Sequence, residues 1–315
     1  MKIVILDTPV SKDNLVMDRL FALGEVTIYK ATSYAETLGR LQDADIALTN
    51  KVVLDSSIIS QLPKLKYIGV LATGYNMVDL EAATQQHIVV SNIPAYSTDS
   101  VAQMVWAHIL NITNRVDYYA KQNRNGRWSS SNYFCYYDFN HQELCNKTIG
   151  IVGLGNTGKA VARIAQAFGM HVMAFTSKET LPDGIEKVTL DKLFSESDIV
   201  SLHCPLNKDT HHLVNHQRIG QMKSDAILIN TSRGPVIDED EVAKALNEGR
   251  IAAFGCDVLT TEPPASGTPL LTAKNAYITP HIAWATEQAR IRLMEICADN
   301  VQAFINGSPQ NQVNA

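Results

Sequence analysis

No stretch of this sequence approaches the roughly 18 or more consecutive apolar residues of a membrane-spanning helix, so no membrane partner is expected. A basic excess is lacking too. The 27 Lys and Arg stand against 32 Asp and Glu, a net charge of -5 that leaves no electrostatic footprint for nucleic acid. Cysteine is scarce: Cys135, Cys145, Cys204, Cys256 and Cys297 are scattered and odd in number. Without CxxC spacing they suggest neither a disulfide framework nor a zinc site, and they read as reduced thiols. Internal repeats and low-complexity tracts are absent. Met1-Lys2 runs directly into Ile3-Val4-Ile5-Leu6, a run too short for a signal segment and without a small-residue cleavage site, so a cytoplasmic location is expected.

What is present suits two ordinary domains: 315 residues, 45% hydrophobic and 19% charged. Through the first hundred residues, apolar runs at 2–6, 25–29, 45–49, 66–70 and 88–91 alternate with helix-forming segments at 14–23, 34–41, 56–62 and 79–86. Such alternation predicts a parallel, doubly wound α/β sheet. Ser100 then opens an apolar helix expected to reach Tyr119. The segment 123–140, rich in Asn, Ser, Tyr and Phe, is longer than a compact connection needs. It reads as a lid, a dimer arm or an insertion. Six further strands are expected at 148–152, 171–175, 199–202, 226–230, 252–257 and 276–279. The last helix, 287–305, has no strand left to follow and is expected to return to the first lobe. The expected division is therefore a discontinuous substrate domain, 1–99 plus 285–315, and a dinucleotide-binding domain, 100–284.

Gly153-Leu154-Gly155-Asn156-Thr157-Gly158 lies between the strand at 148–152 and a helix-forming run. In such a turn Gly153 permits the bend, Gly155 lets a pyrophosphate approach the backbone, and Gly158 lets the helix pack closely on the strand. The exposed amides and positive end of the helix then receive phosphate. Three more strands run into chemistry-bearing loops: 226–230 into Thr231-Ser232-Arg233-Gly234, 252–257 into Val258 to Pro264 with Glu262, and 276–279 into Pro280-His281. Open parallel sheets place their ligands at this edge, past the carboxyl ends of the strands. The turn Leu71-Ala72-Thr73-Gly74 follows a strand of the first lobe in the same way.

The segments GVLATGYNMVDL at 69–80, NIPAYSTDSVAQ at 92–103, the glycine-rich turn, HCPL at 203–206, NTSRG at 230–234, DVLTTEPP at 257–264 and TPHIAWAT at 279–286 are spread along almost the whole chain. By them the sequence resembles the D-isomer-specific 2-hydroxyacid dehydrogenases, nearest the glycerate dehydrogenases. The resemblance implies Arg233, Glu262 and His281 as the catalytic group, and Ala72, Thr73 and Gly74 as holders of the substrate carboxylate. It implies coenzyme contacts at Gly153, Gly155, Asn156, Thr157, Gly158, Cys204, Pro205, Thr210, Thr231, Arg233, Asp257 and His281. Asp257 would meet the nicotinamide carboxamide or cap its strand end. One of Tyr96 and Ser97 is a further candidate to face the cleft, and Trp284 either walls the pocket or packs beside it.

The chemistry of those residue types agrees. Reduction of a 2-keto acid needs a hydride, a proton for the carbonyl oxygen and a cation for the carboxylate. A histidine titrates near neutrality and suits His281 to the proton. Glu262 would orient the imidazole and favour its protonated form. Arg233 offers a planar fork to the carboxylate. The coenzyme would bring the hydride.

One position departs from the usual dinucleotide pattern. An acidic residue commonly ends the second strand and binds the ribose hydroxyls. Here Thr176 stands there, followed by Ser177 and Lys178, so both NAD and NADP remain open. The leading expectation is reduction of hydroxypyruvate or glyoxylate by a cytoplasmic homodimer whose lobes hinge near 94–100 and 282–287. Alternatives are a D-2-hydroxyacid dehydrogenase of the lactate type and a corepressor-like dinucleotide sensor. No metal set is expected among the histidines His203, His211, His212 and His216.

Overall fold

Short β-branched runs bounded by helix-capping side chains become two separate parallel sheets. The computed structural model describes residues 1–7 and 17–314. The chain forms two compact units, Met1–Ser97 with Ala285–Ala315, and Thr98–Trp284.

In the first unit β1 (Lys2–Ile5), β2 (Glu25–Ile28), β3 (Ile46–Thr49), β4 (Tyr67–Val70) and β5 (Val89–Ser91) form one sheet in the order β2-β1-β3-β4-β5. All its pairings are parallel, the flavodoxin-like arrangement. Between the strands run α1 (Met17–Phe21), α2 (Tyr34–Leu41), α3 (Ser56–Ile59) and α4 (Leu80–Gln85). Of the helix expected at 14–23, residues 14–16 lie outside the described residues. The helix starts follow local chemistry. Ser33 and Glu36 cap α2 reciprocally, and the Asp55 and Asp79 carboxylates accept the amides of Ile58 and Ala82.

A carboxylate also fastens one strand end of this sheet. Asp7, just past β1, accepts the amides of Asn50 at 2.8 Å and Lys51 at 2.7 Å, and the Thr49 hydroxyl at 3.0 Å. It thereby staples the loop after the neighbouring β3. Burial pushes the Asp7 carboxyl above its usual range, against the pull of those hydrogen bonds.

In the second unit seven strands are parallel: β6 (Thr148–Val152), β7 (His171–Phe175), β8 (Ile185–Lys187), β9 (Ile199–Leu202), β10 (Ile227–Asn230), β11 (Ala253–Cys256) and β12 (Ala276–Ile278). Their order is β12-β11-β10-β9-β6-β7-β8, with the reversal at β6 that characterises a dinucleotide-binding sheet. The two doubly wound sheets expected from the sequence are thus found, with one strand more than expected. The addition is β8, three residues long, at the sheet edge, and mostly exposed. So short and polar an edge strand has no hydrophobic period to betray it.

The helix expected from Ser100 to Tyr119 is two helices. α5 (Thr98–Asn114) stops where Arg115 adopts a left-handed backbone, φ 52°, and α6 (Val116–Arg124) follows. The physical reason lies in burial. α5 buries a continuous face including Val105, Trp106, Ile109 and Ile112, whereas α6 buries no residue. The Arg115 guanidinium turns over the Phe139 ring, 4.8 Å from its centre. Beyond α6, the Arg127–Asp138 ion pair and the Tyr118 hydroxyl on Asp138 tie the aromatic segment to itself.

The remaining helices of this unit are α7 (Asn156–Ala167), α8 (Leu190–Glu196), α9 (His216–Gln221) and α10 (Glu239–Glu248). The last helix, α11 (Glu287–Ile305), belongs to the first unit, where Phe304 lies 4.8 Å from the Tyr67 ring of β4. No helix among the described residues is long and apolar enough to cross a membrane.

Candidate active site

A parallel sheet puts all its strand ends on one edge, so the loops after β6, β9, β10, β11 and β12 meet there by topology alone. The glycine-rich turn follows β6. Gly153 has φ 94°, and a β-carbon on it would stand 2.8 Å from the Cys204 amide nitrogen and the His203 carbonyl. A β-carbon on Gly158 would meet the Gly153 carbonyl oxygen at 2.2 Å. On Gly155 it would meet nothing within 4 Å, and Gly155 caps α7 without any side-chain hydrogen bond. The space over Gly155 at the start of a twelve-residue helix is thus open, which suits a pyrophosphate. Asn156 is exposed and Thr157 half-buried in that first turn.

Past β10, the Thr231 hydroxyl oxygen is buried without a partner among the described residues. An orphaned polar atom at a strand end is what a ligand group completes. Together with the open Gly155 cradle, it shows that the residues here fit a dinucleotide. Cys204 is buried, with its thiol pushed up to about 11. Thr210 donates to the Pro205 carbonyl at 2.6 Å and accepts the Asn207 amide at 2.8 Å, so its hydroxyl holds the loop together. Past β7, Thr176 is half-buried and accepts the Lys178 amide at 3.2 Å, while Ser177 and Lys178 are exposed. From the unexpected strand β8, the Lys187 ammonium reaches the Lys178 carbonyl at 2.7 Å.

The charged loops converge beside this turn. Asn230, fully buried at the end of β10, accepts from the Ser232 amide at 3.0 Å and hydroxyl at 2.8 Å. It also donates to the Arg233 carbonyl at 2.9 Å, so the backbone of Arg233 is fixed while its side chain is exposed. Next to it Gly234 leaves no clearance: a β-carbon would fall 2.0 Å from the Leu259 carbonyl carbon. The loops that carry Arg233 and Glu262 thus touch backbone to backbone. Glu262 precedes a cis bond to Pro263 and accepts the Leu259 amide at 2.9 Å through Oε1. Its Oε2 meets His281 Nδ1 at 2.5 Å. Nε2 of His281 has no partner among the described residues. A cavity of about 410 Å³ lies beside the pair, lined in part by Asp257, Pro263, Leu271 and Thr279.

His281 itself has φ 53°, a backbone region most side chains avoid. Its turn is held by a group the sequence offered in two roles. Asp257 is 1% exposed and accepts the Thr279 hydroxyl at 2.5 Å, the Ile282 amide at 2.9 Å and the Ala283 amide at 2.7 Å. Trp284 donates from Nε1 to the His281 carbonyl at 2.9 Å, a clamp that sequence reasoning missed. A tryptophan three residues past a strand-end histidine was the available signal.

In the other unit, the turn at 72–74 follows β4. Asn92 donates to the Thr73 carbonyl at 2.8 Å, and the Thr73 hydroxyl donates to the Ile93 carbonyl at 2.9 Å. The amides of Ala72, Thr73 and Gly74 have no acceptor among the described residues. Tyr96 is buried and its carbonyl accepts from Arg292 Nε at 2.9 Å. Elsewhere His203 is half-buried against Ser201 at 2.8 Å, and burial pushes its imidazole down to about 4. No group of three or more His, Cys, Asp or Glu able to hold a metal ion occurs among the described residues.

Known proteins resemble this chain in sequence and fold. The D-isomer specific 2-hydroxyacid dehydrogenase NAD binding domain matches residues 106–283. A hydroxypyruvate reductase of Blautia hydrogenotrophica is 42% identical over 100% of this chain and 100% of its own. A glycerate dehydrogenase of Methylorubrum extorquens is 41% identical over 89% of this chain and 88% of its own. Among solved structures, an acyclic imino acid reductase in complex with NADPH and D-Arg superposes with a TM-score of 0.90 at 31% identity, covering 99% of this chain and 100% of that one.

Proposed function

Because the chain belongs to the D-isomer-specific 2-hydroxyacid dehydrogenases, oxidoreductases that act on a CH–OH group with a nicotinamide dinucleotide, we propose that it reduces hydroxypyruvate or glyoxylate, with His281 as proton donor. The observation that carries this reading is the 2.5 Å contact between His281 Nδ1 and Glu262 Oε2. A carboxylate on one ring nitrogen fixes the imidazole's orientation and leaves Nε2 to hold the transferable proton. Glu262 is itself held by the Leu259 amide.

The nicotinamide, when bound, supplies the hydride. Nε2–H of His281 donates to the carbonyl oxygen as negative charge develops there, and in the reverse direction the same atom accepts the hydroxyl proton. Arg233, whose side chain is exposed beside the Glu262 loop, presents its guanidinium to the acid's carboxylate and polarises the carbonyl. The open amides of Ala72, Thr73 and Gly74 are the proposed backbone donors to a carboxylate. Gly153, Gly155, Asn156, Thr157 and Gly158 hold pyrophosphate, and Thr231 takes part at the nicotinamide end, while Asp257, its carboxylate taken up by Thr279, Ile282 and Ala283, fixes the His281 turn. With Thr176 in place of an acidic residue and Lys178 and Lys187 adjacent, we read the adenosine end as accepting both NADH and NADPH.

The test is loss of reduced-nicotinamide absorbance with hydroxypyruvate, run in parallel with each coenzyme. His281→Asn should lower kcat by about three orders of magnitude or more, roughly 4 kcal/mol of barrier, with coenzyme affinity nearly unchanged. Turnover on lactate-type keto acids alone would move the substrate assignment. Tight coenzyme binding without turnover on any keto acid would replace the enzyme by a sensor.

Trp128, Tyr133, Phe134 and Tyr137 are exposed, Phe134 to 88%. Aromatic surface of this kind favours a covered face, and a homodimer through this segment in the cytoplasm is the corresponding reading. Sedimentation that found only monomers at micromolar concentration would remove it.

A further inference from the structure

The His281 turn is gripped from behind by groups outside the reacting set. A non-glycine residue at φ 53° costs on the order of 1 kcal/mol or more and persists only where its surroundings over-determine it. Asp257 and Trp284 supply part of that constraint. The rest comes from α5. Ser100 donates from Oγ to the Ala283 carbonyl at 2.6 Å, and His108 Nε2 lies 3.3 Å from the Thr279 hydroxyl oxygen. Both side chains belong to buried residues, each 5% exposed. They therefore take hold two residues before His281 and two residues after it.

The direction of the hydrogens follows from counting them. Thr279 has one hydroxyl hydrogen, and its nearest acceptor is Asp257 Oδ1 at 2.5 Å. His108 must then donate from Nε2 to the Thr279 oxygen. Burial pushes the His108 imidazole below its usual range, only partly opposed by the charge of Asp257, so the ring is neutral with its hydrogen on Nε2. Every hydrogen in the line His108–Thr279–Asp257 points toward the carboxylate, which also takes the Ile282 and Ala283 amides. Gly255 makes the line possible: a β-carbon there would stand 2.9 Å from the His108 β-carbon.

We propose that His108 and Ser100 are positioning residues, which hold the His281 turn from α5 through Thr279 and Ala283 and so keep His281 aligned for proton transfer. The proposal rests on the reading of His281 as the acid.

Four variants of the full chain test it: His108→Phe keeps a ring and deletes the donor, His108→Gln keeps a donor, Thr279→Val deletes the hydroxyl, and Ser100→Ala deletes the second grip. His108→Phe and Thr279→Val should each lower kcat about tenfold while KM and coenzyme Kd, measured by protein fluorescence, stay within about twofold. His108→Gln should recover most of the loss. The His108→Phe/Thr279→Val double variant should lose little more than either alone, because both cut one line. Ser100→Ala should lower kcat less, about threefold.

If His108→Phe does not fold, Thr279→Val and Ser100→Ala decide the matter. Unchanged kcat in the folded variants, or equal losses for Phe and Gln at position 108, would overturn the proposal in favour of packing alone. His281→Asn separates the two levels. If it abolishes turnover while His108→Phe and Thr279→Val leave kcat unchanged, only the brace is wrong; if it leaves turnover intact, the acid assignment itself fails.

Discussion

Asp7 and Asp257 do the same thing in two different sheets. Each stands just past a parallel strand and reaches the loop after the neighbouring strand. Each accepts one threonine hydroxyl, from Thr49 or Thr279, and two backbone amides, from Asn50 and Lys51 or from Ile282 and Ala283. The difference is in what the stapled loop carries. Behind Asp7 it is Asn50-Lys51-Val52, the loop after the central strand of the smaller sheet. Behind Asp257 it is His281, in contact with Glu262. The same device fastens a plain loop in one unit and, in the other, the turn of the proposed proton donor.

Removing the two carboxylates puts that contrast at most risk. Asp257→Ala should lower kcat/KM by about two to three orders of magnitude, roughly 3–4 kcal/mol, because the His281 turn loses three hydrogen bonds at once. Asp7→Ala should leave kcat/KM unchanged and speed hydrogen exchange in the loop at 49–52, a local loss of about 1 kcal/mol. Comparable loss of turnover in both would show that the small-sheet staple also serves the reaction.

Acid sharpens the comparison next. His203, in the larger unit, is held neutral with its imidazole pushed down to about 4. Below pH of about 6.5 the unfolded chain protonates this group and the native chain does not. Its contribution is therefore full above that pH and lost as pH falls toward 4, on the order of 3 kcal/mol in total. Asp7 runs the other way. Its carboxyl is raised, so its contribution is full below the usual value of 3.8 and is lost as pH rises through its native value. Hydrogen exchange followed from pH 7 to pH 4.5 should show β9 and its neighbours loosening before β1 and β3. The acid-induced change in β9 should flatten in His203→Gln.

The smallest effect separates the two threonines. Thr49→Val and Thr279→Val remove the same hydroxyl from equivalent staples. Thr49→Val should cost about 1 kcal/mol of local protection and no activity, whereas Thr279→Val should show its loss in kcat. Equal kinetic behaviour would erase the distinction.

Much of this was legible in one dimension. Arg233, Glu262 and His281 could be singled out as candidates because each follows an apolar strand, and parallel topology places such positions on a shared edge. The glycine-rich turn was legible because strand, turn and helix are contiguous. The break at Arg115 was not, since no proline or glycine marks it and only the end of the buried face of α5 explains it. Nor was the link from His108 to Thr279, whose partners lie 171 residues apart. Asp257 shows the boundary well. Its position was readable, but its three hydrogen-bond donors belong to a loop whose path only the folded chain reveals.

Gly234 bears on how such a protein can be redesigned. With no room for even a methyl group between Gly234 and Leu259, the two loops cannot be exchanged as separate modules. A graft that imports one loop from a relative brings half of a fitted joint. Transplants aimed at a new substrate should carry 230–236 and 257–264 together, as a single cassette.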